Sequence, residues 1–181
     1  MTLEQAFDEY HEAVFAFACR LVRRPDRAED ITQETFLALL RAPQRFDPAR
    51  GSMRVYLFSI ARHLALKHFR DTAVDAPLDD DPAGHPAVQP VVDPRRALDA
   101  GVAVEAAVAG LPILQREALI LFEYTGATLE DIARITGADI GVVKSRLHRA
   151  REGLRKVLAP YRSASVSRHL PEVHEERYGI V

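Results

Sequence analysis

The chain of 181 residues contains a single cysteine, Cys19, and no tryptophan. One cysteine excludes an internal disulfide and a metal cage of thiolates, and such sparse use fits a reducing compartment. The sequence has no apolar run of about 18 residues and no charged and then apolar leader, so we expect a cytoplasmic protein without membrane insertion or secretion. The formal net charge is only −2, so any affinity for nucleic acid must come from local basic patches.

Signatures of catalysis are also missing. The sequence has no glycine-rich phosphate loop, no nucleophile elbow and no His-Glu-x-x-His pair. His63 and His68 are five residues apart and would not share a helix face, so they are not expected to form a metal site. We therefore predict no enzyme activity, no cofactor and no bound metal.

The hydrophobic pattern that is present is helical, with caps or prolines at the predicted helix starts. The predicted helices cover residues 3–22, about 27–42 with Asp26 as N-cap, from Ser52 to about 70, 94–110 with Asp93 as N-cap, from Pro112 through Phe122, and then 128–137 and 139–158. We predict an all-α fold of two small helical domains, residues 1–72 and 93–160. Residues 73–92 are rich in Asp and Pro and contain no Lys or Arg, which is typical of a flexible acidic linker. Residues 161–181 form a tail without clear periodicity.

The second domain ends in a predicted helix-turn-helix. Thr128 can cap a short helix, Gly137 can take the positive φ that ends it, and Asp139 can cap the next helix. In that next helix one face is apolar, through Val143, Leu147, Ala150, Leu154 and Leu158. Between positions 141 and 158 six lysine and arginine residues stand against one acidic residue, Glu152.

A basic second helix of this kind lies in the DNA major groove in helix-turn-helix proteins. Its candidate DNA contacts are Lys144, Ser145, Arg146, His148 and Arg149. A solvated basic face on a helical bundle would carry the same charge. The short capped helix and the turn immediately before it favour DNA.

The first domain carries two polar stripes of opposite sign. Asp30, Gln33 and Glu34 are three and four residues apart and form an acidic face, which could bind a basic partner or could simply be solvated. The third helix is basic and has aromatic residues nearby, a combination that suits single-stranded DNA. Its basic candidates are Arg54, Arg62, His63 and Lys67, and the aromatic residues are Phe46, Tyr56 and Phe58, although we expect either Tyr56 or Phe58 to belong to the core.

Five segments together resemble the extracytoplasmic-function group of the sigma-70 family, which are bacterial transcription initiation factors. They are DRAEDITQETFL at 26–37, FDPARGS at 46–52, YLFSIAR at 56–62, LPILQREA at 111–118 and VKSRLHRAR at 143–151. The resemblance covers about residues 5 to 158, with both helical domains in the family's order. Three positions depart from the usual pattern: Tyr56 where Trp is common, His63 where Asn is common, and Val142 where a small hydroxyl residue is common.

The resemblance implies a role for each stripe. Asp30, Gln33 and Glu34 would dock on a coiled coil of the β′ subunit of core RNA polymerase. The loop from Asp47 to Met53 and the helix with Arg54, Arg62, His63 and Lys67 would hold a flipped base and the displaced strand of the minus-ten element. The second domain would read the minus-35 element with Lys144, Ser145, Arg146, His148 and Arg149, and would contact the flap of the β subunit.

The resemblance further implies an anti-sigma factor as a partner that holds the protein inactive. Two other hypotheses remain. One is a conventional repressor or activator, which would need a dimer to span two half-sites of duplex DNA. The other is a decoy that titrates an anti-sigma factor without binding DNA, although a decoy would not need the basic residues of the recognition helix.

Overall fold

The computed structural model describes residues 2–72 and 100–162, and these residues form helices joined by turns, without a strand. The first three helices are α1 (Leu3–Val22), α2 (Pro25–Arg41) and α3 (Met53–Thr72). The remaining four are α4 (Ala100–Ala109), α5 (Ile113–Leu119), α6 (Leu129–Thr136) and α7 (Ile140–Arg162). The all-α fold class is confirmed. The predicted linker, the predicted start of a helix at Asp93, and the tail after Arg162 lie outside the described residues, and the domain bounds stay a prediction.

The first helix begins and ends as local sequence chemistry dictates. The Thr2 hydroxyl accepts from the Gln5 amide at 3.2 Å, and the Gln5 side chain accepts from the Thr2 amide at 2.9 Å, which is a capping box. Arg23 ends α1 in the left-handed region at φ 58°, and its amide donates to the Cys19 carbonyl at 2.8 Å.

The prediction that Asp26 caps the second helix is wrong. The helix begins two residues earlier than predicted, at Pro25, and Arg24 occupies the N-cap position. Proline suits the first helical position because its φ is already helical and it has no amide hydrogen to satisfy. The Asp26 carboxylate instead accepts from the Arg24 guanidinium at 2.7 Å, and this hydrogen bond holds the pKa of Asp26 below its usual value.

The helices α1, α2 and α3 pack against one another around an apolar core. Phe17 of α1 meets Phe58 of α3 edge-on, with ring centroids 5.3 Å apart, an arrangement that aromatic pairs prefer. Phe58 is fully buried and Tyr56 is half-buried, which confirms that one of these two rings belongs to the core. The Ser52 hydroxyl accepts from the Val55 amide at 3.3 Å, so Ser52 caps α3 as predicted.

The helices α4 and α5 pack beneath the recognition helix α7, as expected. The sequence did not predict that α5 continues as a π-helical segment, Ile120–Tyr124. In this segment the Thr125 amide donates five residues back, to the Ile120 carbonyl at 3.3 Å. Wider turns of this kind occur mostly as single turns within helices.

The two groups of helices are packed on each other. α3 lies against α6, and α1 contacts both α5 and the π-helical segment. The sequence pattern predicted two domains and a linker. It gave no prediction about whether the domains touch. No helix in the described ranges is long and apolar enough to cross a membrane.

Candidate nucleic-acid interface

The predicted helix-turn-helix is present with the predicted local chemistry. The Thr128 hydroxyl accepts from the Asp131 amide at 3.1 Å and so caps α6. Gly137 ends α6 at φ 68°, and its amide donates to the Ala133 carbonyl at 2.8 Å. Asp139 precedes α7, and its carbonyl accepts from the Val143 amide at 3.0 Å. Gly137 therefore ends α6 as predicted, and α7 begins at Ile140, directly after Asp139.

The recognition helix α7 separates its apolar side from its polar side. Val143, Leu147 and Ala150 are buried against the other helices of the second group. Three of the five predicted DNA contacts are exposed, namely Lys144, His148 and Arg149. The other two, Ser145 and Arg146, are half-buried. The structure thus places all five in the first three turns of one helix, with Lys144, His148 and Arg149 exposed outside its core-facing stripe.

The sequence did not identify the groups that hold α7 against the domain. The Arg151 guanidinium donates to the Glu123 carboxylate at 2.8 Å and lies 5.4 Å from the centroid of the Phe122 ring. Glu123 and Phe122 belong to the π-helical segment. This ion pair ties the middle of the recognition helix to the helix beneath it, so Arg151 has a positioning role that its charge alone did not reveal.

The four basic candidates on α3 do not form one continuous surface. His63 and Lys67 are exposed and four residues apart, so they lie on the same side of the helix. Arg54 is half-buried at the start of α3, and its guanidinium lies 5.8 Å from the centroid of the buried Phe58 ring. Arg62 points elsewhere, toward the second group of helices.

The Arg62 side chain forms an ion pair with Glu117 of α5. The Glu117 side chain is fully buried, and only 18% of the Arg62 side chain is exposed. A carboxylate in such a place needs a cation nearby, because burial of an unpaired charge is very costly. One signal in the sequence could have indicated this pair, because Glu117 lies among Leu114, Ala118 and Leu121 on the apolar face of its helix.

Two further arginines join the two groups of helices. The Arg116 guanidinium donates to the Leu21 carbonyl at 3.2 Å and to the Leu111 carbonyl at 2.9 Å. Burial, with a smaller effect of the nearby Arg23 charge, lowers the pKa of Arg116 to about 10. The Arg20 guanidinium lies 4.3 Å from the centroid of the Tyr124 ring and 3.9 Å from the Glu105 carboxylate.

The loop before α3 carries an aromatic pair beside an ordered turn. The ring centroids of Phe46 and Tyr56 are 5.6 Å apart, and both residues are half-buried. The Asp47 carboxylate accepts from the Ala49 amide at 2.9 Å, which fixes the turn that follows Phe46. A partly exposed aromatic ring next to an ordered loop can stack on an unpaired base.

The acidic stripe of α2 is exposed as predicted. Asp30, Gln33 and Glu34 all face solvent. Arg27 pairs with Asp30 at 3.2 Å and Arg41 pairs with Glu34 at 3.4 Å. Exposed ion pairs of this kind contribute little free energy, so both carboxylates can exchange these partners for a cation on another molecule.

The comparisons with known proteins agree on one family. The family model described as Sigma-70 region 2 matches residues 6–74, and the one described as Sigma-70, region 4 matches residues 101–154. The sigma-H factor of Pseudomonas aeruginosa is 31% identical over 173 residues, which cover 87% of this chain and 88% of that protein. The extracytoplasmic-function sigma factor SigE of Mycolicibacterium smegmatis is 32% identical over 86% of this chain, but the chain spans only 61% of that relative.

One solved structure also matches across both groups of helices. It is the sigma factor RpoE of Bartonella quintana in complex with the anti-sigma factor NepR, with a TM-score of 0.65, 28% identity, and coverage of 86% of this chain and 96% of that one. The chain therefore belongs to the extracytoplasmic-function group of the sigma-70 family, the initiation factors that direct bacterial RNA polymerase to promoters and carry no catalytic activity of their own.

Proposed function

We propose that this protein binds core RNA polymerase in the cytoplasm and directs it to promoters by reading a minus-35 and a minus-ten element. The observation that carries this proposal is the exposure of Lys144, His148 and Arg149 on the outer side of α7. This helix directly follows a capped helix and a turn in the chain. Residues near the start of such a helix reach base edges, while lysine and arginine bind phosphates. Ser145 and Arg146 complete this minus-35 surface.

The minus-ten element is the proposed ligand of the first domain. Exposed His63 and Lys67 lie on the same side of α3 and would follow the backbone of the displaced strand. Phe46 and Tyr56 offer partly exposed rings for a base taken out of the stack, and Arg54 lies at the start of α3. Extruding a base costs a few kcal/mol, which stacking and hydrogen bonds in the pocket must recover. Arg62 would join this surface once it leaves Glu117.

Two protein partners are proposed. Exposed Asp30, Gln33 and Glu34 on α2 would bind the basic coiled coil of the β′ subunit, and the second domain would contact the β flap. An anti-sigma factor is the second partner, because the similar Bartonella quintana protein was solved in complex with one. We propose domain bounds of 1–72 and 93–160, joined by an acidic linker at 73–92 and followed by a tail at 161–181.

The proposal is tested by run-off transcription with bacterial core polymerase and a library of upstream sequences from the source genome, with and without the protein. Transcripts that depend on the protein and share a two-box promoter are the expected result. A combined variant with Lys144→Ala and Arg149→Ala should lose those transcripts and keep core binding. If folded protein yields no transcripts with active core, binding to duplex DNA without polymerase separates the two other hypotheses, since a dimeric regulator binds duplex DNA and a decoy does not.

A further inference from the structure

We infer that Glu117 is an internal competitor for the promoter strand. In the structure, where the two domains pack on each other, the Glu117 carboxylate forms an ion pair with the Arg62 guanidinium. That guanidinium would otherwise bind a phosphate of the promoter strand. A carboxylate and a phosphate present the same kind of acceptor to an arginine. The inference rests on the proposed function, in which Arg62 belongs to the minus-ten surface.

The location of the ion pair makes it a connection between domains. Arg62 lies on α3 in the first group of helices and Glu117 on α5 in the second group, so the pair crosses the interface between the two groups. Arg116 crosses the same interface through its hydrogen bond to the Leu21 carbonyl, and Arg20 crosses it through the Tyr124 ring. Of these contacts, only the Arg62–Glu117 pair buries two full charges, so it depends most strongly on the two domains staying together.

The promoter requires the domains to separate. As their numbers indicate, the minus-35 and minus-ten elements lie about 25 base pairs apart, which is about 85 Å at about 3.4 Å per base pair. In the structure α3 packs on α6 and α6 packs on α7, and packed helices lie about 8–10 Å apart, so α3 and α7 are within about 20 Å. The 27 residues from 73 to 99 can span at most about 90 Å. The packed arrangement therefore cannot read both elements, and the chain is long enough for an arrangement that can.

Competition for Arg62 links these two states. When the domains are packed, Arg62 is paired and mostly buried, and the strand surface is incomplete. When they separate, Glu117 returns to water, and the guanidinium becomes available to a phosphate. The apparent affinity of the free protein for single-stranded DNA is then reduced by the fraction of molecules that are open.

The test compares the full-length protein with its Glu117→Gln variant, which keeps the shape of the side chain and removes its charge. In the packed state this variant leaves Arg62 buried without its counter-charge, so opening becomes favourable. Spin labels at two exposed sites, introduced as Glu12→Cys and Lys156→Cys in a Cys19→Ser background, report the distance between the domains. We expect a short distance for the parent and a shift toward long, broad distances for Glu117→Gln.

The second readout is anisotropy of a labelled single-stranded oligonucleotide of the minus-ten sequence, measured without polymerase. If about a tenth of the parent is open, Glu117→Gln should bind up to about tenfold more tightly. The matched control is Glu152→Gln, because Glu152 pairs with Arg155 within α7. It should change neither the distance nor the affinity.

The outcomes are distinct. An unchanged distance in folded Glu117→Gln overturns the inference. If that variant does not fold, as judged by circular dichroism, Arg62→Gln provides the same distance measurement from the other side of the pair, and the charge-swapped protein with Arg62→Glu and Glu117→Arg should restore the short distance. If the domains of the Glu117→Gln variant separate but the variant does not bind the oligonucleotide more tightly, competition between Glu117 and the promoter strand for Arg62 is overturned. Run-off transcription with core polymerase is scored separately, so a failure of the proposed function is recognised by the absence of transcripts from the parent itself.

Discussion

A single lysine on the recognition helix allows the minus-35 assignment to be tested at the scale of one residue. Lys144 is exposed in the second turn of α7, and Lys156 is exposed near its other end. If Lys144 binds a phosphate, Lys144→Ala should weaken binding to the minus-35 duplex. The decrease of log affinity with log salt should also become less steep, by about 1. Lys156→Ala serves as the charge-matched control and should leave both quantities nearly unchanged. Equal losses of affinity from the two variants would mean that α7 attracts DNA only through its overall positive charge.

Gly137 lies in the turn between α6 and α7, and its conformation contributes to the stability of the helix-turn-helix. Gly137 has φ 68° and Gly141 has no positive φ, yet a Cβ at either position would meet nothing within 4 Å. Gly137→Ala should lower the free energy of unfolding by about 1–2 kcal/mol, because a left-handed conformation is unfavourable for a residue with a Cβ. Gly141→Ala should raise it by up to about 1 kcal/mol, because alanine favours a helix. Urea denaturation measures both, and equal signs would contradict the conformational explanation.

At the scale of one element, the acidic stripe of α2 is testable by charge reversal. The double variant Gln33→Arg and Glu34→Arg places two positive charges on the exposed face proposed to bind the basic β′ coiled coil. Like charges across an interface are strongly unfavourable, so affinity for core polymerase should fall at least about tenfold. Asp71→Arg, an exposed reversal at the end of α3, is the control in the same binding assay without DNA. If the control loses as much affinity, the effect is one of overall charge.

At the scale of the whole molecule, Arg116 connects the two domains. Its guanidinium donates to one carbonyl in each group of helices, Leu21 and Leu111. Arg116→Met should lower the free energy of unfolding by about 1–3 kcal/mol, since buried hydrogen bonds to a charged group are lost. Arg134→Met removes an exposed ion pair within α6 and should change stability by less than about 0.5 kcal/mol. Comparable urea midpoints for the two variants would argue against Arg116 as an interdomain connection.

The sequence by itself determined the helices, because their causes are local. Apolar residues at helical spacing predicted most of the buried positions of α1, α2, α3 and α7, although Phe7 and Leu40 on those faces are exposed. Thr128 and Gly137 predicted the caps of α6 from groups no more than four residues away. The error at Asp26 was also local: the preference of proline for the first helical position outweighed a good capping side chain. Charge on an exposed helix face is likewise readable, so Lys144 and His148 lie where the pattern indicated.

Only the tertiary structure decided which charged residues meet across the interface. Arg62, His63 and Lys67 are basic residues of the same helix, yet His63 and Lys67 face solvent and Arg62 pairs with Glu117, 55 positions away along the chain. No short-range pattern encodes such a contact, because it depends on how α3 approaches the second domain. The local chemistry of each helix thus follows from its own residues, whereas the pairing of the two domains, and with it the state of Arg62, follows from long-range packing and the requirement that a buried carboxylate find a cation.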